Sequence, residues 1–262
     1  MAVDTIIFDL DDTLLWDKQS IQSAFDETCK LAEATYTLDP KVFEQAVREE
    51  ATKLYQSYEI YSHTVKIGIN PFEGLWGTFD DPTPEFQEMH RIIGTYQKQA
   101  WQNGLQRFDI EDERFAETLA ATFIEERIKH PYLYEDTIDV LNALKGRYKL
   151  VLLTNGAPSL QNTKLKITPQ LVPYFDRIVI SGDFGVGKPD PSIFEHVVQA
   201  ENLDYATTIM VGDNLNTDIL GSNRVGMRNV WINREHKQAN SEVPFTYEIA
   251  SLSELLELLK EI

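Results

Sequence analysis

The sequence predicts an α/β protein: a doubly wound parallel sheet that carries an inserted all-helical domain. After about residue 130, short apolar, β-branched segments alternate with helical segments, as in repeated strand–helix units. A strand-like segment of the same kind, residues 5–8, lies near the start of the chain. Between the two, residues 18–129 have only helix-forming composition and spacing. These observations place a helical insertion inside an alternating fold.

The first strand and the insertion come first along the chain. Residues 5–8 (Thr-Ile-Ile-Phe) form an apolar run that stops at acidic residues, which is typical of a buried parallel strand. The insertion is rich in Ala, Glu, Gln, Lys and aromatic residues, with breaks near Asn70-Pro71 and at 80–82. Helices are predicted there at residues 40–61, 84–102 and 112–129.

The remaining elements alternate regularly. Strands are predicted at 149–153, 177–180, 208–211 and 229–232, and helices at 136–145, before the strand at 177, at 190–200, from 216 and from 251. The pair Asp190-Pro191 is typical of an N-cap followed by Pro in the first turn. These boundaries predict a core domain of residues 1–17 and 130–262 and a helical domain of residues 18–129. In such a core, ligands bind at the carboxyl ends of the strands.

Charge and composition disfavour several classes of function. The 262 residues include 24 Lys and Arg against 42 Asp and Glu, a formal net charge of −18. A field of this sign repels nucleic acids and anionic lipids, so neither is an expected partner. The single cysteine, Cys29, allows no internal disulfide, and no apolar run approaches the roughly 20 residues of a membrane span. The first residues lack a signal-peptide pattern, so a cytoplasmic location is expected. The oligomeric state is not predicted.

Chemically useful side chains follow the predicted strands. Taken alone, each group is a common turn, a helix cap or a surface lysine. All of them together, in this order and beyond apolar runs, indicate one shared site. The groups are Asp9-Leu10-Asp11-Asp12-Thr13, Thr154-Asn155-Gly156, Lys188, and Gly212-Asp213 with Asp218.

These four groups resemble, in the same order, the four motifs of the haloacid dehalogenase superfamily of phosphohydrolases. The resemblance covers residues 1–17 and 130–262. The helical insertion is placed like the C1 cap of that family, although it is longer than a minimal four-helix cap. The resemblance implies a Rossmann-like core and a phosphatase that hydrolyses phosphate monoesters.

The resemblance also implies a role for each matched residue. Asp9 would be the nucleophile that attacks phosphorus and forms an aspartyl-phosphate. Asp11 would protonate the leaving alcohol and later activate water. Thr154, the backbone of Asn155 and the Lys188 ammonium would bind the phosphoryl oxygens.

Mg²⁺ is the implied cofactor. Asp9 and Asp213 would ligate it through their carboxylates, Asp11 through its backbone carbonyl, and Asp218 through water. Ligation by oxygen alone suits Mg²⁺. The ion and Lys188 together would let an acidic protein hold a dianionic ester.

Two other functions stay open at this point. A phosphomutase would use the same scaffold and return the phosphoryl group to a sugar. A non-catalytic binding protein could keep the fold, although the presence of Asp9, Asp11 and Lys188 disfavours it. Asp11 also disfavours a dehalogenase, because a halide leaves without a proton. The expected partner is a small-molecule phosphate ester. Phosphoserine and nucleoside monophosphates are leading candidates, and Trp16 is the aromatic residue best placed to line the pocket.

Two weaker patterns resemble other ligand sites but lack required residues, so neither a P-loop nor a calcium loop is predicted, and zinc is not expected. Residues 182–188 match the first part of a nucleotide-binding P-loop, but Pro189 stands where Ser or Thr would ligate Mg²⁺. The spacing Asp9-x-Asp11-x-Thr13 is similar to a calcium loop, but Leu14 replaces the turn glycine. The five histidines are scattered without the spacing of zinc ligands.

Overall fold

The chain forms two compact units, which a computed structural model describes for residues 2–239 and 241–262. The sheet unit contains the chain up to Trp16, Leu133–Gly156 and Thr168–Ile262, and the helical unit contains Asp17–Tyr132 and Ala157–Ile167. Residues 157–167 therefore group with the helical unit, whereas the sequence-based division places them in the core.

In the part of the chain that the structure describes, six strands form one parallel sheet in the order β3-β2-β1-β4-β5-β6. The strands are β1 (Thr5–Phe8), β2 (Lys149–Thr154), β3 (Arg177–Ile180), β4 (Thr208–Gly212), β5 (Arg228–Ile232) and β6 (Tyr247–Ile249). The predicted doubly wound parallel sheet is confirmed, and β6 is a short edge strand that the sequence does not predict. The strand order reverses between β1 and β4, and sheets of this kind bind ligands at such a switch point.

Each predicted helix has a counterpart with shifted boundaries. In chain order the observed helices are α1 (Asp17–Tyr36), α2 (Pro40–Gln56), α3 (Tyr61–Ile67), α4 (Pro71–Gly74), α5 (Pro84–Gln106), α6 (Glu113–Lys129), α7 (Thr137–Leu144), α8 (Pro158–Ile167), α9 (Ser181–Phe184), α10 (Pro191–Glu201), α11 (Leu220–Arg224) and α12 (Glu254–Glu261). Four of them, α1, α3, α4 and α9, were not predicted individually. The helix predicted at 40–61 is shorter in the structure: α2 ends at Gln56, and Ser57 is its C-cap. Asp190 caps α10 as predicted. Among the described residues, no helix has both the length and the apolarity needed to cross a membrane.

One face of the sheet packs against α10. Val151 and Leu153 lie two residues apart in β2 and therefore point to the same face. They are fully buried in one cluster with Ile193, Phe194 and Val197 of α10. Apolar residues at helical spacing in α10 and at every second position in β2 thus pack into one apolar layer. This layer fixes the strand that precedes the loop at Asn155.

An aromatic core holds the helical unit together. The ring centroid of Phe25 lies 5.8 Å from that of Trp101 and 4.7 Å from that of Phe123, and all three side chains are fully buried. Gly104 lets α5 approach α2 closely, since a Cβ there would lie 2.5 Å from Cγ2 of Val47. Buried aromatic side chains at helical spacing thus form the core of this unit.

Polar contacts attach α8 to the rest of the helical unit. The Asp81 carboxylate accepts hydrogen bonds from the backbone N–H and hydroxyl of Ser159, at 2.8 and 2.6 Å, in the first turn of α8. A carboxylate is favourable there because the N–H groups of the first turn lack helical partners. Further along α8, Lys164 Nζ lies 3.0 Å from Glu73 Oε1 and 4.0 Å from Asp17 Oδ2. These contacts explain why α8 groups with the helices.

Replacing Lys164 by Met tests this buried ion pair. The Lys164 side chain is 3% exposed, and its loss removes a cation that lies 3.0 Å from the Glu73 carboxylate, whose side chain is 4% exposed. We expect the free energy of unfolding to fall by about 3–5 kcal/mol, as for other buried pairs that lose one partner. Lys166→Met is the matched control, because Lys166 is exposed on the same helix. The free energy of unfolding is measured by urea denaturation. Equal decreases for the two variants would contradict the prediction.

Candidate active site

The candidate residues meet at the carboxyl ends of adjacent strands. Asp9 directly follows β1, Thr154 ends β2, and Gly212 ends β4. Strand β1 lies between β2 and β4, with Phe8 in register with Leu152 on one side and with Val211 on the other. Parallel pairing therefore brings three distant chain segments to one edge, beside the switch point.

The loop after β1 turns back sharply and is held by Thr13. Asp12 has a φ of 59°, in the left-handed region that Asp and Asn adopt more readily than other non-glycine residues. The buried Thr13 hydroxyl donates to Asp9 Oδ2 at 3.3 Å and accepts from the backbone N–H of Asp213 at 3.1 Å. Thr13 thus joins the loop after β1 to the loop after β4.

Lys188 is a buried cation between two carboxylates. Its Nζ lies 2.6 Å from Asp9 Oδ1 and 2.7 Å from Asp218 Oδ1, and it donates to the Leu153 carbonyl at 2.7 Å. Asn155 fixes the backbone of this lysine, since its amide accepts from the Lys188 N–H and donates to the Lys188 carbonyl, both at 2.8 Å. The ammonium is therefore held at one position among three oxygen atoms.

Burial and neighbouring charges shift the pKa values of Asp9 and Lys188. Burial raises the pKa of Asp9 to about 6, with Lys188 opposing the shift and Asp218 adding to it. Burial alone would lower the pKa of Lys188, but Asp218 and Asp9 outweigh it and hold that pKa above its usual value. Lys188 therefore stays charged in the folded protein.

Three carboxylates form a compact group of oxygen ligands. Asp9, Asp213 and Asp218 each offer one oxygen, and the three oxygens lie within 4.8 Å of one another. Gly212 makes room for this group, because a Cβ at that position would overlap the Asp218 carboxylate. Three carboxylates and the Lys188 ammonium leave two negative charges when all are ionised. Hard oxygen donors with this net charge fit a divalent cation such as Mg²⁺.

Two supporting residues have roles that sequence reasoning did not assign. The indole N–H of the buried Trp231 donates to the Asp213 carbonyl at 2.8 Å and so fixes the residue that offers a ligand oxygen. Trp231 lies in register with Gly212 across β4 and β5, which the sequence alone does not reveal. Thr13 was visible as the last residue of its motif, but its bridge between two loops depends on the fold.

The sequence-predicted site residues fall into two groups. The structure brings together the side chains of Asp9, Lys188, Asp213 and Asp218, with Asn155 bonded to the Lys188 backbone. Thr154 is buried at the end of β2, next to Asn155. Asp11 is half-buried in the loop after β1, and its carboxylate lies outside the group of three ligand oxygens. The catalytic, phosphate-binding and metal-binding roles of these residues remain predictions.

Comparison with known families agrees with this arrangement. The family description "haloacid dehalogenase-like hydrolase" matches residues 3–226, which is most of the chain. The chain belongs to the haloacid dehalogenase-like hydrolase family. The resemblance predicted from the four motifs is confirmed.

Individual members of the family resemble the chain over different lengths. A phosphoserine phosphatase of Thermus thermophilus is 29% identical over 250 residues, covering 95% of this chain and 96% of the relative. A pyrimidine 5′-nucleotidase of Escherichia coli is 39% identical over 123 residues, covering 47% and 54% of the two chains. The crystal structure of a haloacid dehalogenase-like (HAD) hydrolase of Bacillus subtilis aligns with a TM-score of 0.69 at 22% identity. The alignment covers 99% of both chains. The predicted enzyme class, a phosphatase of this hydrolase family, is confirmed.

Proposed function

We propose that this HAD family member hydrolyses phosphate monoesters of small metabolites through an aspartyl-phosphate on Asp9, with Mg²⁺ as cofactor. The observation that carries the proposal is the buried cluster in which Lys188 Nζ lies within 2.7 Å of both Asp9 and Asp218. One lysine fixed beside a nucleophilic carboxylate provides positive charge where a phosphoryl group would bring negative charge. Asp9, Asp213 and Asp218 would hold the ion, which supplies further positive charge at the phosphoryl oxygens.

The first step would transfer the phosphoryl group to Asp9. An Asp9 carboxylate oxygen attacks phosphorus, the bond from phosphorus to the ester oxygen breaks, and an acyl phosphate forms. Thr13 donates to Asp9 Oδ2 and Lys188 contacts Oδ1, so the orientation of the attacking carboxylate is set before the ester binds. Asp11, two residues along the same loop, supplies the proton that leaves with the alcohol.

The second step would return Asp9 to its starting state. Asp11, now a carboxylate, accepts a proton from water, and the water oxygen attacks phosphorus. The bond between phosphorus and Asp9 breaks, and inorganic phosphate is released. Covalent catalysis of this kind divides one very slow displacement into two faster ones. Thr154 and the Asn155 backbone are proposed to bind the phosphoryl oxygens in both steps.

The substrate is proposed to be a small metabolite phosphate, with phosphoserine and nucleoside monophosphates as the first candidates. The Thermus thermophilus phosphoserine phosphatase supports the former, because it matches this chain along nearly its whole length. The Escherichia coli pyrimidine 5′-nucleotidase supports the latter over about half of the chain. We also propose that residues 18–129 act as a cap that excludes water during the reaction, and that the protein works in the cytoplasm.

Phosphate release from a panel of esters tests the proposal. We expect inorganic phosphate from at least one metabolite ester when Mg²⁺ is present, loss of release after chelation, and recovery when Mg²⁺ is added back. Undiminished release in excess chelator would contradict the metal assignment. An isomerised sugar phosphate formed without free phosphate would contradict hydrolysis and favour a phosphomutase.

A further inference from the structure

An exposed tryptophan, Trp16, ends the loop that begins at Asp9 in the sheet unit, and it stacks on Tyr134. The rings of Trp16 and Tyr134 lie 5.4 Å apart between centroids and are inclined by 19°, so they are stacked. Trp16 is nevertheless 41% exposed. Because Tyr134 covers one face of the indole, much of this exposed area belongs to the other face and the edge.

The stack is fixed by a cation and a carboxylate. The Arg234 guanidinium lies 3.8 Å from the centroid of the Tyr134 ring. The same guanidinium lies 3.1 Å from Asp136 Oδ1, whose second oxygen accepts from the Ser253 N–H at 3.0 Å. Tyr134 thus packs against a guanidinium that Asp136 holds in place, and Asp136 is itself bonded to the segment that contains Ser253. The aromatic surface that Trp16 offers is therefore preorganised, which reduces the entropy lost when a planar group binds.

The stack is also linked to the nucleophile through a short chain of contacts. Arg234 follows β5, at the same carboxyl edge of the sheet as Asp9, and its Nη2 lies 3.4 Å from the Thr13 carbonyl. The Thr13 hydroxyl in turn donates to Asp9 Oδ2. Trp16 itself closes the loop that starts at Asp9. A substrate whose phosphate meets Asp9 would therefore have its remainder close to this loop.

We propose that Trp16 is a specificity-determining residue that stacks on the base of a nucleoside 5′-monophosphate. This inference rests on the proposed phosphatase function and narrows its substrate class. A nucleobase has the flat π-face that an exposed, rigid indole binds, and stacking of one base on an aromatic side chain raises affinity about 10- to 100-fold. Phosphoserine and glycerol phosphates have no such face.

Kinetics of two esters test the role of Trp16. We expect Trp16→Ala to lower kcat/KM for uridine 5′-monophosphate about 10- to 100-fold, mainly through KM, and to change kcat/KM for glycerol 3-phosphate little. Trp16→Phe keeps a flat ring and should restore most of the loss. Equal losses on both esters would show that Trp16 only supports the fold, and no loss on the nucleotide would also overturn the proposal.

Fluorescence provides a readout that does not depend on turnover. The other three tryptophans (Trp76, Trp101 and Trp231) are at most 4% exposed, so a stacking ligand can reach only Trp16 directly. Uridine, which carries no phosphate, should quench the native emission in a saturable way and should not do so in Trp16→Phe. Saturable quenching without phosphate release from any ester would refute the proposed function and leave the stacking intact. Phosphate release without quenching would refute the stacking alone.

Discussion

Replacing Asp9 by Asn should lower phosphate release on the order of 10⁴-fold or more for every ester, whatever its leaving group. The amide keeps the shape of the side chain and its hydrogen bond from Thr13, but it cannot form the acyl phosphate. The substitution removes one of the two carboxylates that contact the Lys188 ammonium and also relieves the repulsion between Asp9 and Asp218, and Lys188 keeps its contact with Asp218. The measurement is steady-state phosphate release, with thermal unfolding as the check on folding.

Asp12→Asn is the matched control for this loss. It makes the same chemical change three residues along the same loop, and Asn tolerates the positive φ that Asp12 adopts. This variant should keep most of the activity. If Asp9→Asn retained comparable turnover, the aspartyl-phosphate mechanism would be refuted.

Replacing Asp11 by Asn should produce a loss that depends on the leaving group. The nucleophile Asp9 stays in place, and only the proton donor and the later base are removed. An alkyl phosphate, whose alkoxide leaves poorly without a proton, should lose about 10²–10⁴-fold in aspartyl-phosphate formation. An aryl phosphate with an acidic phenol should lose much less in that step.

The Asp11 measurement must isolate the first chemical step. Steady-state turnover mixes the two steps, because hydrolysis of the intermediate also slows without its base. Burst-phase release of the phenol should therefore be compared with single-turnover cleavage of the alkyl ester. Equal losses on the two substrates would mean that Asp11 is not the leaving-group acid and would favour a role in the geometry of the metal site.

Most of the sheet could be predicted because buried parallel strands are short, apolar and bounded by polar loops. The edge strand β6 was missed, since Tyr247–Ile249 has only three residues, of which Glu248 is exposed, and so lacks an apolar run. The start of the helix predicted from residue 216 was also inaccurate, because residues Leu215–Ile219 form a π-helical turn before α11. The amino-acid composition of a segment does not indicate a π-helical turn.

The site was predictable where position along a strand determines function. Asp9 and Asp213 each follow a strand, so parallel pairing alone brings them to one edge. The contacts of Thr13, Trp231 and Arg234 were not predictable, because each depends on the register of strands or on how a loop folds back. A sequence pattern records which residues follow a strand, whereas these contacts require the distances between loops.

The position of α8 limits how this protein can be shortened or recombined. Excision of residues 18–129 alone would remove Glu73 and Asp81 and leave Lys164 and Ser159 of α8 without these partners. It would also expose Leu160, which is buried in the aromatic core of the helical unit. A viable deletion, or an exchange of this region between relatives, would have to carry residues 157–167 along with the insertion. The segment that must be exchanged as a whole is therefore discontinuous in the sequence. Hybrids joined only at the two ends of residues 18–129 should be unstable.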